Sequence, residues 1–188
     1  MDTGERFGTL TIGLHWMVAL GILCLIATGI YMVQTEAWPL FHLHKSVGLL
    51  LFAVIIARVL WRLKNGLPHP VGRYSRLEHG VAKAVHYLLL ACTIAMPISG
   101  MIYSGNSGNG FGIFSVEIFP SNYPPEGGMA IPLSTPWADI GQATHSFIGY
   151  FLLGLIVLHV AGALKHHIVD RDSTLTRMLG GGAKQQSD

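Results

Sequence analysis

The sequence predicts an all-α protein, a four-helix transmembrane bundle, and three observations lead there. The 188 residues are 51% hydrophobic and only 12% charged, too apolar and too charge-poor for a water-soluble domain of this size. Four apolar segments each reach the roughly 20 residues needed to cross a hydrocarbon core of about 30 Å. Lys and Arg gather almost entirely at one end of those segments, as they do on the cytoplasmic side of membrane proteins.

The first span is predicted at 10–33. It is too long for the apolar region of a signal peptide, has no strongly basic leader and carries His15 and Trp16, so it is expected to stay in the mature chain. The second span, 41–63, opens with His42, His44 and Lys45 and closes among Arg58, Arg62 and Lys64. A short basic connection with Pro68, His69, Pro70 and Arg73 leads to the third span, 81–103, which holds His86. Cys24 in the first span and Cys92 in the third read as packing residues.

The following connection, 104–137, lacks Lys and Arg and is dense in glycine and proline, from Gly105 to Pro136. That density forbids long regular structure and predicts an irregular cap over one end of the bundle. A loop of this length is uncommon without a role, and covering a cofactor or docking a partner are the roles expected of it. The fourth span, 138–164, carries His145 and His159. The domain is expected to cover 1–178, with 179–188 a disordered tail rich in glycine and polar residues.

Orientation follows from charge. Arg6, the cluster from Arg58 through Lys83, and Lys165, Arg171, Arg177 and Lys184 share one side, and only Lys45 lies on the other. Both termini are therefore predicted to be cytoplasmic and the 104–137 connection to face outward. The tryptophans agree, with Trp16 and Trp61 at the inner interface and Trp38 and Trp137 at the outer one.

Ten histidines remain to be sorted by depth. His69 falls in a loop; His79, His166 and His167 lie near the inner interface and His42 at the outer one, where solvated side chains are the plain reading. His15, His44, His86, His145 and His159 fall within spans, where histidine is costly and marks a functional site before a satisfied core residue. His145 and His159 are 14 residues apart, which on one helix brings them to within about 40° of each other and separates them by roughly 21 Å. By depth His44 meets His145 near the outer face. His159 lies about 31 Å from Trp137, and His15 and His86 about 26 Å from the outer ends of their spans, at 1.5 Å per residue. The inner partner of His159 is thus either His15 or His86.

His44 and His145 each precede a glycine by four residues, Gly48 and Gly149. One turn along the same face, a glycine removes a side chain where a flat macrocycle would lie; close helix packing is the simpler alternative. Zinc and non-haem iron sites usually recruit carboxylate or thiolate as well, and no acidic residue lies mid-span. The Glu-x-x-His repeats of di-iron bundles are absent. Haem asks the protein only for axial ligands, and two histidines leave the iron no open position, so it passes electrons. Arg58, 14 residues after His44, occupies the place on span two that His159 holds on span four, suited to a haem propionate or to snorkelling toward the interface.

Gly-Leu-His15-Trp, His44-Lys-Ser-Val-Gly, and His145 with His159 followed by His166-His167 resemble the bacterial cytochrome b561 family of inner-membrane di-haem proteins. The resemblance runs from the first span to Met178. It implies an inner haem b held by His15 and His159, an outer haem b held by His44 and His145, and electron exchange with ubiquinone. His86 is then left without an iron, as a quinone contact or as a histidine bonded to a propionate or a helix carbonyl. Closely similar small members are superoxide oxidases, which pass electrons from periplasmic superoxide to ubiquinone. Lys45 is the candidate guide for such an anion, helped by His42, against Glu36, Glu117, Glu126 and Asp139 on the same face.

The expected function is transmembrane electron transfer between a periplasmic-side donor and the ubiquinone pool. The alternative is a cytochrome b membrane-anchor subunit that accepts electrons from a periplasmic dehydrogenase docked on the 104–137 connection. A metal-ion transporter is disfavoured because no carboxylate lines the spans. Lipid is the expected surrounding, and no nucleic-acid partner is expected.

Overall fold

In a computed structural model, which describes residues 6–66 and 74–181, the chain is a four-helix bundle with a small β-hairpin at one end. The long helices are α1 (Thr9–Thr35), α2 (Phe41–Asn65), α3 (Arg76–Asn106) and α4 (Thr135–Ile168), and a short α5 (Thr174–Met178) follows. All four long helices are long and apolar enough to cross a membrane. Large apolar side chains such as Leu20, Leu63, Phe147 and Val157 point outward, as they do when lipid rather than water surrounds a bundle.

Each helix extends beyond the apolar span expected of it. The clearest case is α3, which starts at Arg76 rather than near 81. Ser75 Oγ accepts from the Glu78 N–H at 3.2 Å while Glu78 Oε2 accepts from the Ser75 N–H at 3.0 Å, a reciprocal capping box. α1 ends in a left-handed Glu36 (φ 54°) and α2 at Gly66 (φ 73°), whose N–H returns to the Arg62 carbonyl.

The core joins Val18, Ile22 and Ile26 of α1, Leu51 and Ile55 of α2, Cys92 of α3, and Ile148, Leu152 and Leu155 of α4. On α1, α2 and α4 these residues fall between the histidine levels in sequence, so an apolar plug occupies the middle of the bundle. Cys24 and Cys92 are free thiols, Cys92 within this plug. Glycine permits a close helix approach: a Cβ on Gly141 of α4 would come within 2.5 Å of the Tyr103 nitrogen of α3.

The 104–137 connection, expected to be irregular, contains a two-stranded antiparallel hairpin, β1 (Phe111–Ile113) and β2 (Val116–Phe119), bulged between Phe111 and Gly112. The strands are too short to register as strand pattern among so many glycines. The hairpin is tied to α2 and α3: the Phe114 N–H donates to Ser46 Oγ at 2.8 Å, and the Gly110 carbonyl accepts from Ser104 Oγ at 2.5 Å and Lys45 Nζ at 2.8 Å. Gly110 sits at φ 57°, where a Cβ would lie 2.6 Å from the Phe119 carbonyl oxygen, so glycine is required for this close turn.

At the opposite, basic end the chain folds back under the bundle. Trp61 Nε1 donates to Thr11 Oγ1 at 2.7 Å and Trp16 Nε1 to the Met178 carbonyl at 2.9 Å. Lys165 bridges Glu78 at 2.7 Å and Asp170 at 2.8 Å, His166 reaches Asp170 at 2.7 Å, and the Tyr74 hydroxyl donates to Asp172. The helix α5 was not expected from sequence; Trp16 and Gly181, whose N–H returns to the Thr176 carbonyl, hold its end in place. His69, Arg73, Lys184 and most of the tail expected to be disordered lie outside the described residues.

Candidate functional site: two histidine pairs

At the loop end, helix phase brings His44 of α2 opposite His145 of α4, with ring centroids 6.3 Å apart. Their tautomers are decided by their neighbours. Thr28 Oγ1 gives its proton to helix carbonyls, to Cys24 at 2.9 Å and Leu25 at 3.1 Å. Its lone pair is therefore left to accept from His44 Nδ1 at 3.3 Å. His145 Nδ1 faces the Met96 carbonyl at 2.9 Å and Ser99 Oγ at 3.2 Å. Ser99 already donates to that same carbonyl at 2.7 Å, so His145 is again the Nδ1–H donor. Both rings are left with an unprotonated Nε2 as a metal-ligating lone pair.

At the basic end His15 of α1 and His159 of α4 have ring centroids 6.3 Å apart as well. Two imidazoles bound trans to one metal at about 2.0 Å per metal–nitrogen bond hold their ring centroids about 6 Å apart. Both pairs have that separation. His86 of α3 lies nearer His159, at 5.0 Å with the rings perpendicular, too close for a metal between them. Its Nδ1 is 2.6 Å from the Ala82 carbonyl, the helix-carbonyl contact among the roles left open for it.

A cavity of about 280 Å³ opens between the four helices at the loop end. Each helix contributes one glycine to its wall: Gly29, Gly48, Gly100 and Gly149. A Cβ on Gly48 would project into open space, while Cβ atoms on Gly29 and Gly100 would touch the His44 ring at 3.4 Å and the His145 ring at 3.0 Å. The glycines make a smooth apolar slot with two imidazole nitrogens in it, and the donor set contains no carboxylate or thiolate. These features suit a flat macrocycle with axial ligands better than a bare metal ion. Lys45 lines the cavity, but its ammonium is turned onto the Asn109 and Gly110 carbonyls at 3.1 and 2.8 Å and over the Phe41 ring.

The sequence model of prokaryotic cytochrome b561 matches residues 6–181. The chain belongs to the prokaryotic cytochrome b561 family. It is 34% identical to cytochrome b561 homolog 2 of Escherichia coli K12, over 100% of this chain and 96% of that protein. It is 28% identical to the probable superoxide oxidase CybB of Yersinia pestis, over 93% and 96%, and 26% identical to cytochrome b561 homolog 1 of E. coli, over 93% and 97%. Membership makes this an integral membrane protein of transmembrane electron transfer and implies b-type haem.

Sequence reasoning had missed the residues behind the His44 and His145 rings: Thr28 and Gly29 on α1, Met96, Ser99 and Gly100 on α3. A signal was present. Thr28-Gly29 and Ser99-Gly100 are both a hydroxyl residue followed by glycine near the loop end of their spans, and each faces one member of the His-x-x-x-Gly repeat.

Proposed function

We propose that this protein carries electrons across the bacterial inner membrane through two haems b, between a periplasmic-side donor and the ubiquinone pool, with the loop end outward and both termini cytoplasmic. His44 and His145 hold the outer haem, His15 and His159 the inner one. The observation that carries this reading is the common 6.3 Å separation of both ring pairs, a distance at which the two imidazoles of each pair could hold one haem iron between them. When bound, haem supplies a one-electron couple with no open coordination position.

The chain's own residues do the rest. Thr28 and Met96 hold the outer rings with Nε2 turned to the slot. Gly48 and Gly149 clear the wall for the macrocycle, and Arg58 offers a guanidinium to a propionate at the inner site. The plug around Ile55 and Leu152 keeps water out of the space between the two levels. His86, donating from Nδ1 to its own helix, has an Nε2 lone pair with which to contact a quinol hydroxyl beside His159.

With superoxide as donor, the reaction balances when two superoxide anions each lose one electron to become dioxygen, and one ubiquinone gains two electrons and two protons. The probable superoxide oxidase among the relatives supports this version; Lys45 is the candidate anion guide. The alternative, a membrane anchor for a periplasmic dehydrogenase, is favoured by the apolar side chains that the cap turns outward, with Phe114 and Val116 each 66% exposed and Met129 89%.

Visible spectra of wild type and single His→Ala variants test the ligand scheme. Alanine at His44 or His145 removes one haem, alanine at His15 or His159 removes the other, and His86→Ala retains both. Loss of a haem from His86→Ala with both kept in His15→Ala overturns the inner pairing. Failure of a superoxide generator to reduce the purified protein removes the oxidase version and leaves the anchor.

A further inference from the structure

Apart from the two ring pairs, metal-ligating side chains meet at the basic end of the chain. The last turn of α4 and the turn after it bring His166, Asp170 and Asp172 together, with one ligand atom of each within 4.8 Å of the others. His166 Nδ1 lies 2.7 Å from Asp170 Oδ2 and 3.6 Å from Asp172 Oδ2. Donors held tetrahedrally on one ion at about 2.1 Å stand about 3.4 Å apart, so small side-chain rotations place all three around a single ion. The backbone sets this arrangement: the Asp170 N–H donates to the Lys165 carbonyl at 3.2 Å and the Asp172 N–H to the His166 carbonyl at 3.1 Å, with Arg171 at φ 55° between them. Three carboxylates, Glu78, Asp170 and Asp172, stand against one bridging ammonium, Lys165, at 2.7 Å from Glu78 and 2.8 Å from Asp170. The His166 and Asp172 side chains are 17% and 8% exposed, where charge left uncompensated is costly. The Tyr74 ring packs on His166 at 4.5 Å and its hydroxyl donates to Asp172, the kind of outer support that orients ligands. In the same turn Ser173 is 4% exposed and its Oγ has no hydrogen-bond partner among the described residues; buried hydroxyls of this kind are satisfied by an ion or by ordered water.

We propose that His166, Asp170 and Asp172 form a binding site for one divalent cation of the zinc class, separate from the haem sites and independent of them. Imidazole beside carboxylate selects zinc over magnesium and calcium, which take oxygen donors. On binding, the proton of the neutral His166 ring sits on Nε2 and Nδ1 takes the ion, while Asp170 and Asp172 each give one oxygen. Lys165 then keeps Glu78 as its partner. Ammonium and metal ion therefore compete for Asp170. Asp172 also accepts from the Thr174 N–H at 2.7 Å, so the ion ties the end of α4 to the turn that leads into α5.

Calorimetric titration of the purified, haem-loaded protein with zinc chloride at pH 7, after treatment with a chelator, tests it. One zinc per chain is expected to bind and to raise the Tm, with no response to magnesium. His166→Gln and Asp172→Asn should weaken binding by about tenfold or more while the haem spectrum is kept, and His167→Gln should bind as wild type does. Lys165→Ala, which frees Asp170 from its competitor, should bind zinc more tightly, a gain that a poorly folded variant does not give. The inference is overturned if wild type binds no zinc or does not saturate at one per chain, or if His166→Gln binds as tightly as wild type. It is equally overturned if the loss follows His167→Gln instead, or if Lys165→Ala fails to bind more tightly.

Discussion

The loop end and the basic end of this bundle hold two pairs of imidazoles at the same separation, 6.3 Å, in unlike settings. At the loop end the rings are braced by a hydroxyl and a carbonyl from α1 and α3 and flanked by glycines. At the basic end no hydrogen bond to either ring occurs among the described residues, and a third histidine stands against one of them. The comparison separates two jobs. Ring separation is set by helix phase and packing, which both ends share; ring chemistry is set by the residues behind each ring, which differ. A membrane interior makes the second job strong, because few water molecules are present to dilute a hydrogen bond or a charge.

The largest way to break the comparison is to crowd one end alone. Gly100→Ala places a methyl 3.0 Å from His145 Cε1, tighter than the 3.4 Å that Gly29→Ala imposes on His44. On the proposed two-haem scheme, haem content by the pyridine haemochrome assay is expected to fall by about half in Gly100→Ala, and by less in Gly29→Ala; equal losses would show that the glycines act only through general packing.

Leu152→Ala tests whether the ends are independent. This side chain has no exposed surface and belongs to the plug between them, so truncation is expected to cost about 2–5 kcal/mol. Thermal unfolding in detergent should shift down while both haems stay bound. Selective loss of one haem would mean that the plug positions that pair.

A smaller effect distinguishes the ends by substrate. His86→Ala should raise the KM for a short-chain quinol about five- to tenfold, as loss of one hydrogen bond does, and leave haem reduction from the loop face unchanged. If both reactions slow together, His86 supports the His159 ring rather than a quinone.

The smallest effect concerns the clasp at the basic end. The Lys165 ammonium bonded to Asp170 holds that carboxyl below the usual aspartate range. Its contribution is therefore fully present above the unfolded pKa of about 3.9 and is lost as pH falls through the lower folded value. Asp170→Asn should cost a small drop in Tm at pH 7, and the gap from wild type should close below about pH 4. A gap that persists in acid would mean that the carboxamide is poorly accommodated.

Much of the bundle was legible because membranes impose severe rules. An apolar run of about 20 residues has few structural options, and a histidine inside one needs a reason. His44 and His145 could be paired by counting residues for the same cause: 1.5 Å per residue makes depth a property of sequence position. Counting failed for His15 against His86, which lie at one depth. Depth carries no information about which helix faces which, and the 5.0 Å approach of His86 to His159 is a matter of helix packing. The α3 start at Ser75 was missed because a capping box is polar and was sought with hydropathy.

By itself the sequence determined the four spans, their charge asymmetry, the level of each histidine and the two glycines beside the loop-end pair, since all of these follow from one-dimensional spacing along helices of known pitch. Only the tertiary structure decided that Thr28 and Met96 stand behind His44 and His145, that Lys45 turns onto the Gly110 carbonyl, and that His86 stands against His159. Those relations join residues from different helices, and the rotation of each helix about its axis is set by how all four pack together, with each small shift of phase changing which side chains meet.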